Sequence, residues 1–131
     1  MEVRVELSRI IINEASDQQV VILKEIDGER SIPIVIGISE ILAIDRRVKG
    51  LQLPRPMTHD LMAGIITGIG GKIEKVVITD LNDHTFYALM HINFNGKKFK
   101  IDSRPSDALA LTAGMQVPIF ADEQIFEKMQ M

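Results

Sequence analysis

The sequence predicts an α+β fold: a largely antiparallel, six-stranded sheet, curled or barrel-like, covered by helices. Three observations carry that prediction. Short segments of alternating apolar and polar residues come in runs of three, the pattern of half-buried strands. Hairpin-type turn dipeptides, Asp27-Gly28 and Asn95-Gly96, sit inside the two runs at nearly equivalent places. Each run is followed by a segment of helical period that begins near a hydroxyl residue.

Residues 2–12 and 19–26 alternate as two strands joined by the polar turn NEASDQ, and RSIPIVI (30–36) makes the third. Ser39 is placed to cap a first helix, with Ile41, Leu42, Ile44 and Val48 on one side and Gly50 as its stop. Thr58 is placed to cap a second, whose apolar stripe is Leu61, Met62, Ile65, Ile66 and Ile69. TGIGGK (67–72) lacks the phosphate-loop spacing and follows a helix, so it reads as a glycine stop. Residues 72–81, 85–94 and 97–102 give three more strands, and a third helix runs from about Pro105 to Ala113 before Gly114. A short strand VPIF (117–120) and a last helix from about Asp122 finish the order.

Strand-strand-strand-helix-helix thus reads nearly twice, which predicts an internal duplication. IVIGISEILAI (34–44) aligns without gaps on IDSRPSDALAL (101–111): Ile34 meets Ile101, Ser39 meets Ser106, Glu40 meets Asp107, and Leu42-Ala43 meets Leu109-Ala110. No linker-like segment divides the chain, so residues 1–131 are expected to form one domain.

Composition narrows the function classes. No apolar run approaches 18 residues, the N-terminus has no secretory pattern, and cysteine is absent. A cytoplasmic protein with no membrane span, no disulfide and no thiolate metal site is expected. A net charge of −3 argues against a broad basic face for duplex DNA. Arg46, Arg47, Lys49 and Arg55 cluster nonetheless, as do Lys97, Lys98, Lys100 and Arg104. Each cluster is either a solvated face or a local attraction for a polyanion. Twenty isoleucines and five phenylalanines exceed what one small core hides, so a homo-oligomer is expected, most simply a twofold dimer.

Chemistry concentrates in two stretches, PRPMTHDLM (54–62) and SRPSDALAL (103–111). Both put Arg-Pro ahead of a hydroxyl and an acid. Helix-start grammar accounts for the proline, for Thr58 and Ser106, and for Asp60 and Asp107. It does not account for Arg55 and Arg104, because a cation at a helix N-terminus opposes the dipole. Either each pairs with a nearby acid, or the two arginines grip a phosphate together with Thr58, Ser106 and free N–H groups. His59 is the best candidate general base, since imidazole titrates near neutrality; Asp60, Asp102 and Asp107 are its candidate partners in positioning water. Asp60, Asp80 and Asp102 are the candidate ligands of a Mg²⁺ or Mn²⁺ ion, which prefers oxygen donors. Against this stand separate turn and cap roles for each acid.

These motifs resemble the bifunctional nuclease domain family. The likeness runs from about Ile32 to Glu123. It rests on Pro33-Ile34, Ile36-Gly37 and Glu40; on Arg55-Pro56 with Thr58-His59-Asp60-Leu61; and on Asp80-Leu81 with Thr85-Phe86-Tyr87-Ala88. It continues through Ile101-Asp102 and Arg104-Pro105-Ser106-Asp107-Ala108 to Pro118-Ile119. The resemblance implies a domain whose plant members are described as cutting both DNA and RNA. Two readings follow: a metal-assisted hydrolase of nucleic-acid phosphodiesters, or a non-catalytic binding or regulatory module whose polar motifs only knit helix ends together.

Overall fold

A computed structural model describes residues 1–13 and 15–130. The chain runs β1 (Glu2–Ile11), β2 (Gln19–Glu25), β3 (Ser31–Ile36), α1 (Ile38–Val48), α2 (Thr58–Gly68), β4 (Lys72–Asn82), β5 (Thr85–Phe94), β6 (Lys97–Ser103), α3 (Pro105–Thr112), β7 (Ile119–Asp122) and α4 (Glu123–Met129). All seven strands join one sheet in the order β3-β2-β1-β7-β4-β5-β6. Every pairing is antiparallel except β4 with β7. The mixed α+β architecture is as expected, but the strand count is not. The late short strand lies at Ile119–Asp122 and inserts between the two meanders, making seven strands rather than six.

Nor does the sheet close into a barrel. β3 and β6 are its edges, with no ladder between them. It curls strongly all the same, since β3 and the start of β5 line one cleft. Register shifts in β1 (Leu7/Arg9) and in β4 (Ile73/Lys75 and Ile78/Asp80) account for this, because each bulge bends its strand and adds twist. The tight hairpins agree in hand: Asp83-His84 and Asn95-Gly96 all have positive φ, the conformation that matches strand twist.

The 67-residue offset holds at the strand–helix junctions. β3 ends at Ile36 and β6 at Ser103; α1 opens at Ile38 and α3 at Pro105. The five-element unit does not repeat in full. A strand separates α3 from α4, whereas residues 52–55, at the same offset from β7, form none.

The helices open ahead of the hydroxyls expected to cap them. Gly37, Met57 and Arg104 occupy the N-cap places of α1, α2 and α3, not Ser39, Thr58 and Ser106. At α3 the reason is Pro105, whose fixed φ suits the first helical position and which has no N–H to satisfy. In α2 the carboxylate of Asp60 does the capping instead, accepting from the Met57 N–H at 3.0 Å.

α1 buries Ile41, Ala43 and Ile44, while Leu42 and Val48 of its expected stripe stay exposed. α3 is buried along nearly its whole length and packs against both α1 and α2. α2 departs most from expectation. Of its residues only Ala63 is buried, and Leu61, Met62, Ile65 and Ile69 face outward. Arg30 pairs with Glu25 and Glu123 and lies 4.2 Å from the Phe126 ring centroid, tying α4 to the β2–β3 end.

One side chain locks the three-helix layer. Arg47, near the end of α1, donates to the carbonyls of Leu111 and Ala113 at the C-terminus of α3 and to the Asp60 carboxylate of α2. A cation there matches the negative end of the α3 dipole and fills carbonyls the helix cannot satisfy itself. Arg46 adds a second contact to Asp60 at 3.6 Å. Because Arg47 is only 16% exposed, removing it strands partly buried acceptors. Arg47→Ala should lower stability by about 2–4 kcal/mol in urea denaturation, and an unchanged midpoint would contradict this role.

Candidate functional site

The N-termini of α1, α2 and α3 meet at one cleft of about 630 Å³. α1 contributes Glu40, α2 contributes Thr58 and His59, and the β6–α3 junction contributes Asp102, Ser103, Arg104 and Asp107. Met62, Met90 and Ile101 form its apolar wall. The polar groups are linked in series. His59 Nε2 lies 3.0 Å from Asp107 Oδ1; Arg104 Nε donates to Asp107 Oδ2 at 2.8 Å; and Arg104 Nη2 reaches Glu40 Oε1 at 3.3 Å.

The order of this chain sets its chemistry. Asp107 is acceptor-only when ionised, so the His59 nitrogen facing it carries the proton, which leaves neutral imidazole with Nδ1 as its acceptor. Burial pushes the Asp107 carboxyl up, but the hydrogen bonds from Arg104 and His59 outweigh it and hold it below the usual range. The Asp107 carboxylate in turn raises the Arg104 guanidinium, with Glu40 adding to the effect. Arg104 is 69% exposed, so donors not engaged by its two acids face solvent. Glu40, Asp102 and Asp107 place three carboxylates beside the single guanidinium of Arg104 in this cleft.

A second cleft, of about 450 Å³, adjoins the first and shares Glu40 and Arg104 with it. Its other walls are the β3 edge (33–36), the His84-Thr85-Phe86 turn and the buried Ser106. Together they make a groove with the Arg104–Glu40 pair at its middle.

The residues anticipated from the two Arg-Pro stretches divide between two places. His59, Asp102, Arg104, Asp107 and Thr58 come together, and Ser106 lies in the adjoining cleft. Arg55 and Asp60 do not join them: they line a different cleft of about 400 Å³ with Arg47. Arg55 and Arg104 therefore do not share a cleft. Asp60 is spent on structure; the Met57 N–H lowers its carboxyl most, burial opposes, and Arg47 adds further lowering. Asp80 pairs with Lys128 of α4, whose ammonium holds its carboxyl low. The three acids named as ligands, Asp60, Asp80 and Asp102, thus do not meet. Among the described residues no group of three or more His, Cys, Asp or Glu side chains converges as a metal site.

A model of the bifunctional nuclease domain matches residues 21–131. The chain belongs to the bifunctional nuclease domain family. An uncharacterized protein of Mycobacterium tuberculosis is 39% identical over 116 residues, covering 88% of this chain and 69% of its own. Bifunctional nuclease 1 of Oryza sativa subsp. indica is 20% identical over 118 residues, covering 87% of this chain and 36% of its own. Bifunctional nuclease of Oryza minuta matches to the same extent. Members of this family therefore extend well beyond the matched region in rice. Among the described residues no helix is long and apolar enough to cross a membrane.

Two participants escaped the motif reading. Glu40 is not among the candidate site residues, although its alignment with Asp107 is a usable signal: both acids bind Arg104. Arg47, expected on a solvated face or in a polyanion patch, reaches another helix instead, which nothing local in the sequence shows.

The lowered carboxyls of Asp60 and Asp107 have a consequence for stability. Asp60 and Asp107 bind protons less readily in the folded chain than in the unfolded one, where aspartate titrates at about 3.9. Their stabilisation is complete above about pH 5 and is lost as pH falls through the lower folded values. The urea midpoint should ease down as pH falls through the imidazole range, because burial holds the His91 imidazole low, and decline more steeply below about pH 5. Asp60→Asn should start lower and decline less steeply; a wild-type midpoint that rises on acidification would contradict the assignment.

Proposed function

We propose that the chain is a nuclease-like hydrolase of DNA and RNA phosphodiesters, acting at the cleft of His59, Asp107, Arg104 and Glu40. The observation that carries this reading is the imidazole held by a carboxylate beside an exposed guanidinium, in a family whose rice members are named nucleases. His59 Nδ1 takes a proton from water while the water oxygen attacks phosphorus. The bond from phosphorus to the leaving sugar oxygen breaks, and that oxygen takes a proton from solvent. Arg104 faces the phosphoryl oxygens as charge gathers on them. Asp107 keeps His59 in the tautomer that exposes Nδ1, and Thr58, Ser106 and Asp102 line the approach of water and phosphate.

The acids named for Mg²⁺ or Mn²⁺ do not form a preformed ligand set, so no step is assigned to an ion. Three carboxylates beside one guanidinium still make a cation dependence worth measuring, because a phosphate approaches them.

A second reading rests on a specific observation: Asp60, Asp80, Arg104 and Asp107 each contact an oppositely charged group or an imidazole on another element, Arg47, Lys128, Glu40 and His59 in turn. Under it the chain is a binding or regulatory module and the pairs are structural. Purified protein incubated with single-stranded DNA and RNA, with Mg²⁺, with Mn²⁺ and with EDTA, separates the two. On the first reading His59→Ala and Asp107→Asn lose on the order of 10²-fold or more in cleavage rate. Equal cleavage by the variants would mark a contaminating nuclease and overturn the assignment. Absence of cleavage in every condition would favour the module.

A further inference from the structure

We infer that the second cleft is a base site, which takes one unpaired nucleobase of a single-stranded nucleic acid whose phosphate lies at Arg104. The inference rests on the hydrolase reading for its substrate, but the site is argued from backbone groups that the reaction does not use. Residues 33–36 all line this cleft. Alternate strand residues point to opposite faces, so the edge of β3, and not one of its faces, forms the wall. That edge carries free backbone groups in a fixed order. The Arg30 carbonyl accepts from the Glu25 N–H of β2 at 2.9 Å, and the pairing continues without a shift to Ile36. Arg30, Ile32, Ile34 and Ile36 therefore turn their backbone groups toward β2, while Ser31, Pro33 and Val35 turn theirs away.

Such an edge is a poor template for another strand and a good one for a base. Strand addition takes a donor from every second residue, and Pro33 has none. What faces the cleft is the Pro33 carbonyl, then the N–H and the carbonyl of Val35. A donor beside an acceptor is also what each nucleobase shows on its pairing edge, the edge by which proteins bind splayed-out bases. In a duplex that edge is occupied by the opposite strand.

The other walls suit a flat, uncharged, aromatic group. Phe86, partly buried against the core, supplies a phenyl ring to the cleft, and stacking on such a ring holds bases without regard to sequence. His84 lines the cleft as well, at a φ of 65°, just after Asp83 at 55°. A turn of this kind favours asparagine and glycine, so the imidazole is kept at the cleft where a smaller residue would sit with less strain. The carboxylates of Asp17 and Glu40 oppose a second phosphate here, whereas a base carries no charge. Arg104 belongs to both clefts. A phosphate on its exposed guanidinium thus has the base site on one side and the His59 cleft on the other.

Amide NMR of the full chain, titrated with nucleoside 5′-monophosphates, tests this without any turnover. The Val35 amide should move with AMP, CMP, GMP or UMP and stay still with ribose 5-phosphate or inorganic phosphate. Val35→Pro deletes the edge donor with no ladder bond lost and should weaken nucleotide binding about tenfold. Val35→Ala keeps the N–H and should bind as the wild type does. Circular dichroism checks that both variants fold, and the wild-type amide answers the question if Val35→Pro does not. A single-stranded tetranucleotide should bind roughly tenfold or more tighter than a mononucleotide; equal affinity would overturn the proposal in favour of a free nucleotide. A Val35 amide silent to every nucleotide, or a folded Val35→Pro that binds like the wild type, would overturn it even if the chain cleaves nucleic acid. Nucleotide binding at Val35 without cleavage in any condition would uphold the base site and remove the hydrolase reading.

Discussion

A short, almost wholly buried helix must have both of its ends satisfied, and much of this structure follows from how that is done. α3 is eight residues long, and Asp107 is its one residue that is not buried. An eight-residue helix leaves about as many backbone groups unpaired at its ends as it pairs inside. Water cannot reach most of them, so side chains from α1 and α2 must. At the C-terminus Arg47 spans two carbonyls and binds Asp60. At the N-terminus the Arg104 carbonyl accepts from Asp107 and Ala108, and its side chain ties Asp107 to Glu40.

The two ends answer the same need in different settings. Arg47 and Asp60 are 16% and 23% exposed, sealed among three helices, where a charge pair serves packing and register. Arg104 is 69% exposed and Asp107 34%, and His59 joins them at the wall of an open cleft. A pair that is sealed has its donors consumed. A pair at an opening keeps donors and an imidazole nitrogen for something else. The proposed function accordingly uses the N-terminal end of α3, and the C-terminal end serves packing.

Strand alternation and the Asn95-Gly96 turn are legible in the sequence, whereas the exact helix starts are not. Thr85–Phe94 and the Asn95-Gly96 turn follow from alternation and from residues that accept positive φ. The place of β7 was not legible, because a four-residue strand gains its position from partners far along the chain. Barrel closure could not be read either, since it depends on bulges that alternation does not display. The apolar stripe of α2 has the period of a core helix, and the period alone does not say that most of it stays exposed. The site shows the sharpest division. In THD, successive helical positions turn by about 100°, so His59 points to Asp107 while its neighbour Asp60 points to Arg47. A motif compact in sequence was thus split between a cleft and a structural lock, and Arg55 went with the lock. Asp102, Arg104 and Asp107 stayed together because they straddle a single strand–helix junction.

The central claim is that the N-terminal end of α3 fixes His59 with its proton toward Asp107 and Nδ1 free to accept one. Nitrogen-15 NMR of the imidazole at a pH where it is neutral reads this directly, because protonated and bare ring nitrogens resonate far apart. The account expects His59 to be protonated at Nε2 and bare at Nδ1 in the wild type, with that preference lost in Asp107→Leu. A wild-type imidazole protonated at Nδ1, or one whose tautomer is indifferent to Asp107, would contradict it.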